Sequence, residues 1–317
     1  MARILFIGID YFSYTSRIID EMRAQGHGVS FHLMEPVGFW DKVAKRYDPR
    51  RFSAVLARHH EAIVTAERNN DYDIILCLQV HRMAPAILAR LRENHPAARF
   101  ILYNWDSLNT HDYSPWLPFF DHAFTFDPDD AARLGIGYLP LFALPEYAAA
   151  RRDAAKHNDL YFVGAAVTSA RVRALQRLKA FCRRANLALE MHLFASAAAM
   201  LSHLSNRLWL PELTMRTIRP AEIIAMMERS RGVFDFANHR QSGYTMRFIE
   251  NMCAEVKIVT ANPRIRDEPF YRADRFLVID GENFDAIPSF LAMPITSTLD
   301  LDAFSLRNWV RTLLSSD

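Results

Sequence analysis

Cysteine is scarce in this chain: three in 317 residues, at Cys77, Cys182 and Cys253, each inside an apolar segment and none in CxxC spacing. An odd, scattered set excludes a disulfide scaffold and reads as reduced thiols in a cytoplasmic protein. An excess of charge of one sign is missing as well. Lys and Arg total 38 against 36 Asp and Glu, a net charge of +2, so bulk charge gives no argument for nucleic acid as a partner. Long apolar runs are absent: segments such as Ile74–Leu78 fall far short of the ~20 residues needed to cross a bilayer. The first apolar run meets an acid at Asp10 with no small-residue cleavage site, so it reads as a strand and not as a secretory signal. Neither GxGxxG nor GxxxxGK[ST] occurs, which argues against a nicotinamide dehydrogenase and a P-loop NTPase. No GxSxG elbow points to a serine hydrolase.

What is present is a globular composition, 50% hydrophobic and 23% charged, long enough for two domains of ordinary size. Short runs rich in β-branched and aromatic residues alternate with helical patterns. Strands are expected at Arg3–Ile9, Val29–Met34, Asp73–Gln79, Arg99–Tyr103, His122–Phe126 and Tyr138–Phe142, with helices at Ser16–Gln25, Arg51–Asn69 and Pro85–Glu93. Ala143–Asn158 breaks the pattern with Pro145, several alanines and many charges, and reads as a connection. The alternation then restarts. Strands are expected at Leu160–Val163, Leu189–Phe194, Gly232–Phe236, Val256–Thr260 and Phe276–Ile279. Helices are expected at Ser169–Ala185, Ala197–Leu204, Pro220–Arg229, Thr245–Cys253 and Leu301–Leu314. The fold class is α/β: two Rossmann-like domains, residues 1–145 and 146–317, facing each other across a cleft, each with a parallel sheet covered on both faces. Ligands of such sheets sit beyond the carboxyl ends of the strands, so the loops after strands are where chemistry is sought.

The richest such loop runs from Asn238 to Glu250. It follows a strand and opens a helix, where backbone N–H groups favour an anion. Gly243 permits close backbone approach, and Thr245 can cap the helix and donate to a phosphate oxygen. His239, Arg240 and Arg247 add positive charge. Glu250 shares a helix face with Arg247, and a carboxylate there can accept both hydroxyls of a ribose. The plain alternative is a capped helix with a surface Arg–Glu pair. A second loop, Phe162–Arg171, places Gly164 and small residues before a helix start, either a phosphate-facing turn or an ordinary βα turn capped by Ser169.

The first half offers acids after strands. Asp106 is the preferred general base for an acceptor hydroxyl, with Asp10 and His111 behind it, although Asx residues after strands often only cap turns. His81 and Arg82 follow another strand and are weaker candidates for substrate contact. No metal is expected: the twelve histidines form neither HExxH nor a compact cluster, and neighbouring His59 and His60 face different sides of their helix. Asp127-Pro-Asp-Asp130 reads as a turn and helix N-cap. Between Phe39 and Arg58, six basic residues meet two acidic ones beside Phe39 and Trp40. That combination suits peripheral contact with an anionic membrane or a lipid-pyrophosphate acceptor, the alternative being a solvated helix face.

The layout resembles the GT-B glycosyltransferases. The segment Gln241-Ser-Gly-Tyr-Thr-Met-Arg-Phe-Ile-Glu250, followed by Lys257-Ile-Val-Thr-Ala-Asn262 and Pro269-Phe-Tyr271, is similar to a bacterial group that builds capsule, exopolysaccharide or lipopolysaccharide, as is Phe162–Arg171. The close resemblance covers about a third of the chain, nearly all in its second half. It implies a metal-independent transfer of sugar from a nucleotide-sugar donor, with no other cofactor, to a saccharide or lipid-linked acceptor. It implies that the C-terminal helix packs back on the first domain, while the cysteine usage and the Phe39–Arg58 patch suit a cytoplasmic enzyme in peripheral contact with the inner face of the membrane. It assigns the donor to the second domain, through Gly164, Arg171, His239, Arg240, Gln241, Ser242, Gly243, Tyr244, Thr245 and Arg247, with Glu250 on the ribose. Many retaining members carry an earlier acid where this chain has Gln241-Ser242-Gly243, which leaves the anomeric outcome open. Alternatives are a non-catalytic nucleotide- or sugar-binding protein, and an epimerase or hydrolase on the same fold.

Overall fold

The computed structural model describes residues 1–11, 13–151, 153–236 and 241–315. Unit 1 comprises Met1–Leu141, His239–Tyr244 and Leu306–Asp317, and unit 2 comprises Phe142–Asn238 and Thr245–Ser305. The expected boundary near residue 145 therefore lies four residues late, and two later stretches belong with unit 1.

Unit 1 opens with β1 (Arg3–Gly8), α1 (Tyr14–Ala24), β2 (Gly28–Leu33), α2 (Phe39–Tyr47), α3 (Pro49–Glu67), β3 (Ile74–Leu78), α4 (Pro85–Asn94), β4 (Arg99–Asn104), β5 (His122–Thr125), α5 (Pro128–Leu134) and β6 (Gly137–Tyr138). Its six strands are all parallel, in the order β2-β1-β3-β4-β5-β6. Ile4, Leu5, Phe6 and Ile7 of β1 are fully buried, as are Phe100, Ile101 and Leu102 of β4. Continuous apolar strands of this kind are what a sheet covered on both faces requires. Asp48 separates α2 from α3, capping the latter by accepting from Arg51 N (3.0 Å) with Pro49 at the first helical position. His59 and His60, expected on different helix faces, both reach the end of β2: their Nε2 atoms donate to Leu33 O (2.7 Å) and to Met34 O just beyond it (2.8 Å). Strand β6 ends at Tyr138, earlier than Tyr138–Phe142 would have it, where Pro140 brings no N–H for a further ladder bond.

Unit 2 contains α6 (Pro145–Ala148), β7 (Asn158–Ala165), α7 (Ser169–Arg184), β8 (Leu189–Phe194), α8 (Ala197–Ser205), β9 (Leu213–Thr214), α9 (Pro220–Glu228), β10 (Ser230–Asp235), α10 (Met246–Cys253), β11 (Lys257–Thr260), β12 (Phe276–Val278) and α11 (Ile287–Ala292). The sheet order is β9-β8-β7-β10-β11-β12, all parallel, which is the 3-2-1-4-5-6 order of a dinucleotide-binding domain. Side-chain caps start its helices: Thr168 accepts from Arg171 N (3.2 Å), Ser196 from Ala199 N (3.3 Å) and Thr245 from Phe248 N (3.1 Å).

The last helix, α12 (Leu306–Leu314), starts later than Leu301 because a 3-10 turn occupies Asp302–Phe304. It belongs to unit 1, where it packs on α1 and Gln25 Nε2 donates to Arg307 O (2.9 Å). Trp309, 2% exposed, stands edge-on to Tyr103 of β4 at 4.8 Å between ring centroids. Trp309→Ala should destabilise unit 1 by about 3–5 kcal/mol, the range for emptying a buried aromatic site. Urea unfolding followed by circular dichroism checks this, and a loss under 1 kcal/mol would mean that α12 is not an integral part of the unit.

Candidate functional site

In an open parallel sheet the ligand crevice opens where the strand order reverses, beyond the carboxyl ends of the two central strands. In unit 2 that point lies between β7 and β10. Arg171, in the first turn of α7, spans it. Its Nη1 donates to Ala165 O at the end of β7 (2.9 Å) and its Nη2 to Phe236 O just past β10 (3.5 Å), with the guanidinium 5.0 Å above the Phe236 ring. Burial pulls this guanidinium below its ordinary value while the Asp235 carboxylate opposes the shift. An arginine keeps its charge through such a perturbation, so unit 2 presents a fixed cation at its switch point. Asp235, at the end of β10, is buried, and burial raises its carboxyl above the usual range. It accepts from Thr260 Oγ1 at the end of β11 (2.9 Å), and Thr245 Oγ1 lies 3.5 Å from its other oxygen. Asp235 and Thr260 were not singled out from sequence, where each is the polar last residue of an apolar strand.

The remaining sequence-derived donor residues fall in several places. Gly164 lies within β7, which continues to Ala165, so the turn itself is shorter than the sequence implied. A Cβ at Gly164 would meet the Phe162 ring at 3.0 Å, which explains the glycine by packing. His203 of α8 holds that turn, its Nε2 donating to Ala166 O (2.7 Å). His239 and Arg240 lie outside the described residues. Gln241, Ser242, Gly243 and Tyr244 belong to unit 1, whereas Thr245, Arg247 and Glu250 belong to unit 2.

The backbone donors near Gly243 already serve an anion, and it is a side chain. Asp127 Oδ2 accepts from Ser242 N (2.7 Å) and Gly243 N (3.3 Å), and Oδ1 accepts from Ser242 Oγ. The same carboxylate caps α5 by accepting from Asp129 N (3.1 Å) and Asp130 N (3.2 Å). Gly243 is needed for close approach, since an added Cβ would sit 2.4 Å from Phe126 O. Further on, Arg247 and Glu250 form an ion pair on α10, with Arg247 5.5 Å over the Tyr147 ring and Glu250 without exposed surface. Asn251 completes this layer, accepting from Tyr161 Oη (2.7 Å). Glu250 has no exposed surface while Arg247 is 23% exposed, so a ribose at Glu250 would require side chains there to open.

In unit 1 the order reverses between β1 and β3. Beyond the carboxyl ends of β3 and β4 the structure brings together four side chains. Gln79 takes a left-handed backbone (φ 63°) and its Nε2 donates to Asp106 Oδ2 (2.7 Å). His111 Nε2 lies 4.0 Å from the same oxygen, and the His111 ring stacks on His81 at 3.8 Å and 13° between planes. Asp106 and His111 are each 37% exposed, open enough for a substrate hydroxyl. A non-glycine residue in the left-handed region costs on the order of 1–3 kcal/mol, and such strain clusters at functional sites. Buried Asn104 donates from Nδ2 to Asp106 O, which fixes the turn after β4. Among the described residues no contact joins Asp10, exposed beyond β1, to this cluster. Arg82 instead pairs with Glu35 (3.0 Å).

Among the described residues, no group of His, Cys, Asp and Glu is arranged to hold a metal ion, and no helix is long and apolar enough to cross a membrane. No family model and no curated protein matches this chain. Solved structures do match. An alpha-glucosyltransferase in complex with UDP and a 13-mer DNA aligns with a TM-score of 0.59 at 12% identity, over 92% of this chain and 88% of that one. The lipopolysaccharide outer core galactosyltransferase WaaB aligns at 0.53 and 15%, again over 92% and 88%. The fold is that of the GT-B glycosyltransferases. The same GT-B architecture also matches a putative UDP-N-acetylglucosamine 2-epimerase from Listeria monocytogenes, with a TM-score of 0.54 at 10% identity over 99% of this chain and 94% of that one. The fold therefore does not choose the reaction.

Burial, the stacked His111 and nearby Arg82 push His81 down to about 4 from 6.5. Between these values the unfolded chain binds a proton that the folded chain refuses. Stability from this group is therefore complete above pH 6.5 and lost as pH falls toward 4. His81→Asn should flatten the fall in urea midpoint between pH 6.5 and 4.5. An unchanged slope would show that His81 binds its proton equally in the folded and the unfolded chain.

Proposed function

We propose that this chain is a nucleotide-sugar-dependent glycosyltransferase acting on a saccharide or lipid-linked acceptor in bacterial surface polysaccharide synthesis. The observation that carries the proposal is Arg171, a cation fixed across the switch point of a 3-2-1-4-5-6 sheet. In the proposed reaction the acceptor oxygen bonds to the sugar C1 as the bond from C1 to the diphosphate oxygen breaks. Arg171, with Thr245 and the backbone at the start of α7, stabilises the charge that develops on the leaving diphosphate, in place of a metal. The proton of the acceptor hydroxyl goes to the unit 1 cluster. Asp106 is the proposed base, with Gln79 holding one of its oxygens, and His111 beside it is the second acceptor of that proton. Asp10 stands outside this scheme.

The experiment is a thermal-shift screen against UDP, GDP, CDP, ADP, TDP and CMP, followed by turnover assays with the corresponding sugars. A bound nucleotide at a hundredfold excess over its dissociation constant stabilises the folded state by about 2.7 kcal/mol. Arg171→Ala should weaken that nucleotide by about 1.5–3 kcal/mol, the range for a hydrogen bond to a charged group. Asp106→Asn should leave nucleotide affinity intact and lower transfer by on the order of 10²–10⁴-fold. No shift with any nucleotide defeats the reading, and donor consumed without acceptor replaces it with an epimerase or hydrolase.

The acceptor side of the proposal draws on α2. Phe39 and Trp40 are 71% and 75% exposed, and Tyr47 is 79% exposed. Arg46 and Arg50 are exposed beside them, while Lys45 pairs with Glu35. Amphipathic helices of this composition lie in the interface of anionic membranes, which would put the enzyme at the inner membrane face. Sedimentation with vesicles containing anionic lipid should carry the protein down, and Trp40→Ala with Arg46→Glu and Arg50→Glu should release it. A parent protein that stays in the supernatant removes the membrane from the proposal.

A further inference from the structure

A second polar pocket lies at the opposite edge of the unit 2 sheet, where β10 and β11 begin. It encloses about 440 Å³, within the range of small-ligand sites. Two of its lining side chains are more than nine-tenths buried, Ser230 at the start of β10 and Arg275 just before β12. Each carries a buried polar atom with no hydrogen-bond partner among the described residues, Ser230 Oγ and Arg275 Nη1. Buried donors are seldom left unmade, because each forfeits the hydration it had in the unfolded chain.

The rest of the cradle is built and fixed. Arg275 Nε donates to Ser297 O (3.2 Å) and Ser297 Oγ (3.0 Å), its Nη2 donates to Ser297 O, and that nitrogen lies 3.6 Å from Glu255 Oε1. The Thr296–Ser297 wall is itself clamped by Asp274, which accepts from Thr296 N (2.7 Å), Ser297 N (2.8 Å) and Ser297 Oγ (2.6 Å). At the rim stand the exposed cations Lys156 and Arg231. Lys156 Nζ donates to Glu228 O (2.7 Å), and Arg231 Nε lies 3.8 Å from Asp159. The lining holds four cationic side chains against the carboxylates of Glu228 and Glu255. Two unsatisfied donors in a net positive pocket call for a ligand that offers several anionic oxygens.

We propose that this pocket binds a phosphoryl group, either free phosphate or the phosphate of a small metabolite, at a site separate from the nucleotide site proposed for Arg171. A tetrahedral phosphoryl group has oxygens enough for Arg275, Ser230 and the two rim cations together, where a carboxylate has two. Nothing in this assignment depends on the reaction proposed above.

Titration calorimetry of the full chain with inorganic phosphate, pyrophosphate and glucose 1-phosphate, at matched ionic strength, tests it. Saturable binding of at least one probe is expected. Because Arg275 is buried, the variants are Ser230→Ala, which removes the unpaired hydroxyl with little change of volume, and Lys156→Ala with Arg231→Ala at the rim. Each should keep the parent fold by circular dichroism and lose affinity for inorganic phosphate by about tenfold, while Arg171→Ala removes only binding at the nucleotide site and keeps a saturable phosphate heat. Tighter glucose 1-phosphate supports the site as one for a metabolite, and tighter phosphate supports it as one for the free ion. The proposal is overturned if no probe binds, if the pocket variants bind like the parent, or if Arg171→Ala abolishes the heat.

Discussion

One carboxylate anchors the segment from Gln241 to Tyr244. Asp127, 2% exposed, receives the first N–H groups of α5 on one side and the Ser242 and Gly243 amides on the other. Helix starts carry unpaired donors and partial positive charge, so an acid there is favourable on its own account. Here the acid has donors left over from a chain segment more than a hundred residues away. That segment can lie against Phe126 only because residue 243 has no side chain. The anion-binding donors that a sequence reader would reserve for a phosphate are thus used to fix a chain crossing.

The two sheets carry opposite chemistry beyond the carboxyl ends of their strands. In unit 2 the cation of Arg171 ties the ends of β7 and β10 together, and the carboxyl of Asp235 is sequestered under two threonines. In unit 1 a carboxylate and two imidazoles remain half-open beyond β3 and β4. Under the proposed function the fixed cation serves the leaving diphosphate, and the partly exposed carboxylate beside a histidine serves proton removal. The left-handed turn at Gln79 shows how that second set is held: the backbone accepts strain so that an amide can face Asp106.

Much of the fold was legible because buried parallel strands must be apolar throughout and their covering helices must alternate with them. The helix at Thr245 and the capping duty of Asp127 followed from local chemistry. What escaped was short or lay at an edge. Strand β9 is two residues long, and α11 is a six-residue helix, Ile-Pro-Ser-Phe-Leu-Ala, so neither carries a period. In the site, Arg171, Asp106 and His111 were each visible as polar residues after strands. Their partners were not: the His81–His111 stack joins residues thirty apart in the chain, and Asp235 and Thr260 are single polar letters at the ends of apolar runs. Glu250 read as a ribose ligand beside Arg247, with a surface Arg–Glu pair as the plain alternative. In the fold Arg247 lies over the Tyr147 ring and Glu250 is fully buried, which its helical spacing alone does not reveal.

The placement of α12 has a consequence for biosynthesis. Unit 1 begins at the first residue but is closed by Leu306–Leu314. On the ribosome, unit 2 has all of its strands before Trp309 can reach Tyr103. The amino-terminal unit is thus the later of the two to be completed, and for most of translation it exposes the groove beside α1 where α12 will dock. Contacts between segments far apart in the chain are slow to form, and a nascent intermediate with apolar surface still uncovered is the species for which chaperones compete. A chain stopped before Leu306 would therefore leave unit 1 incomplete while unit 2 keeps all of its strands.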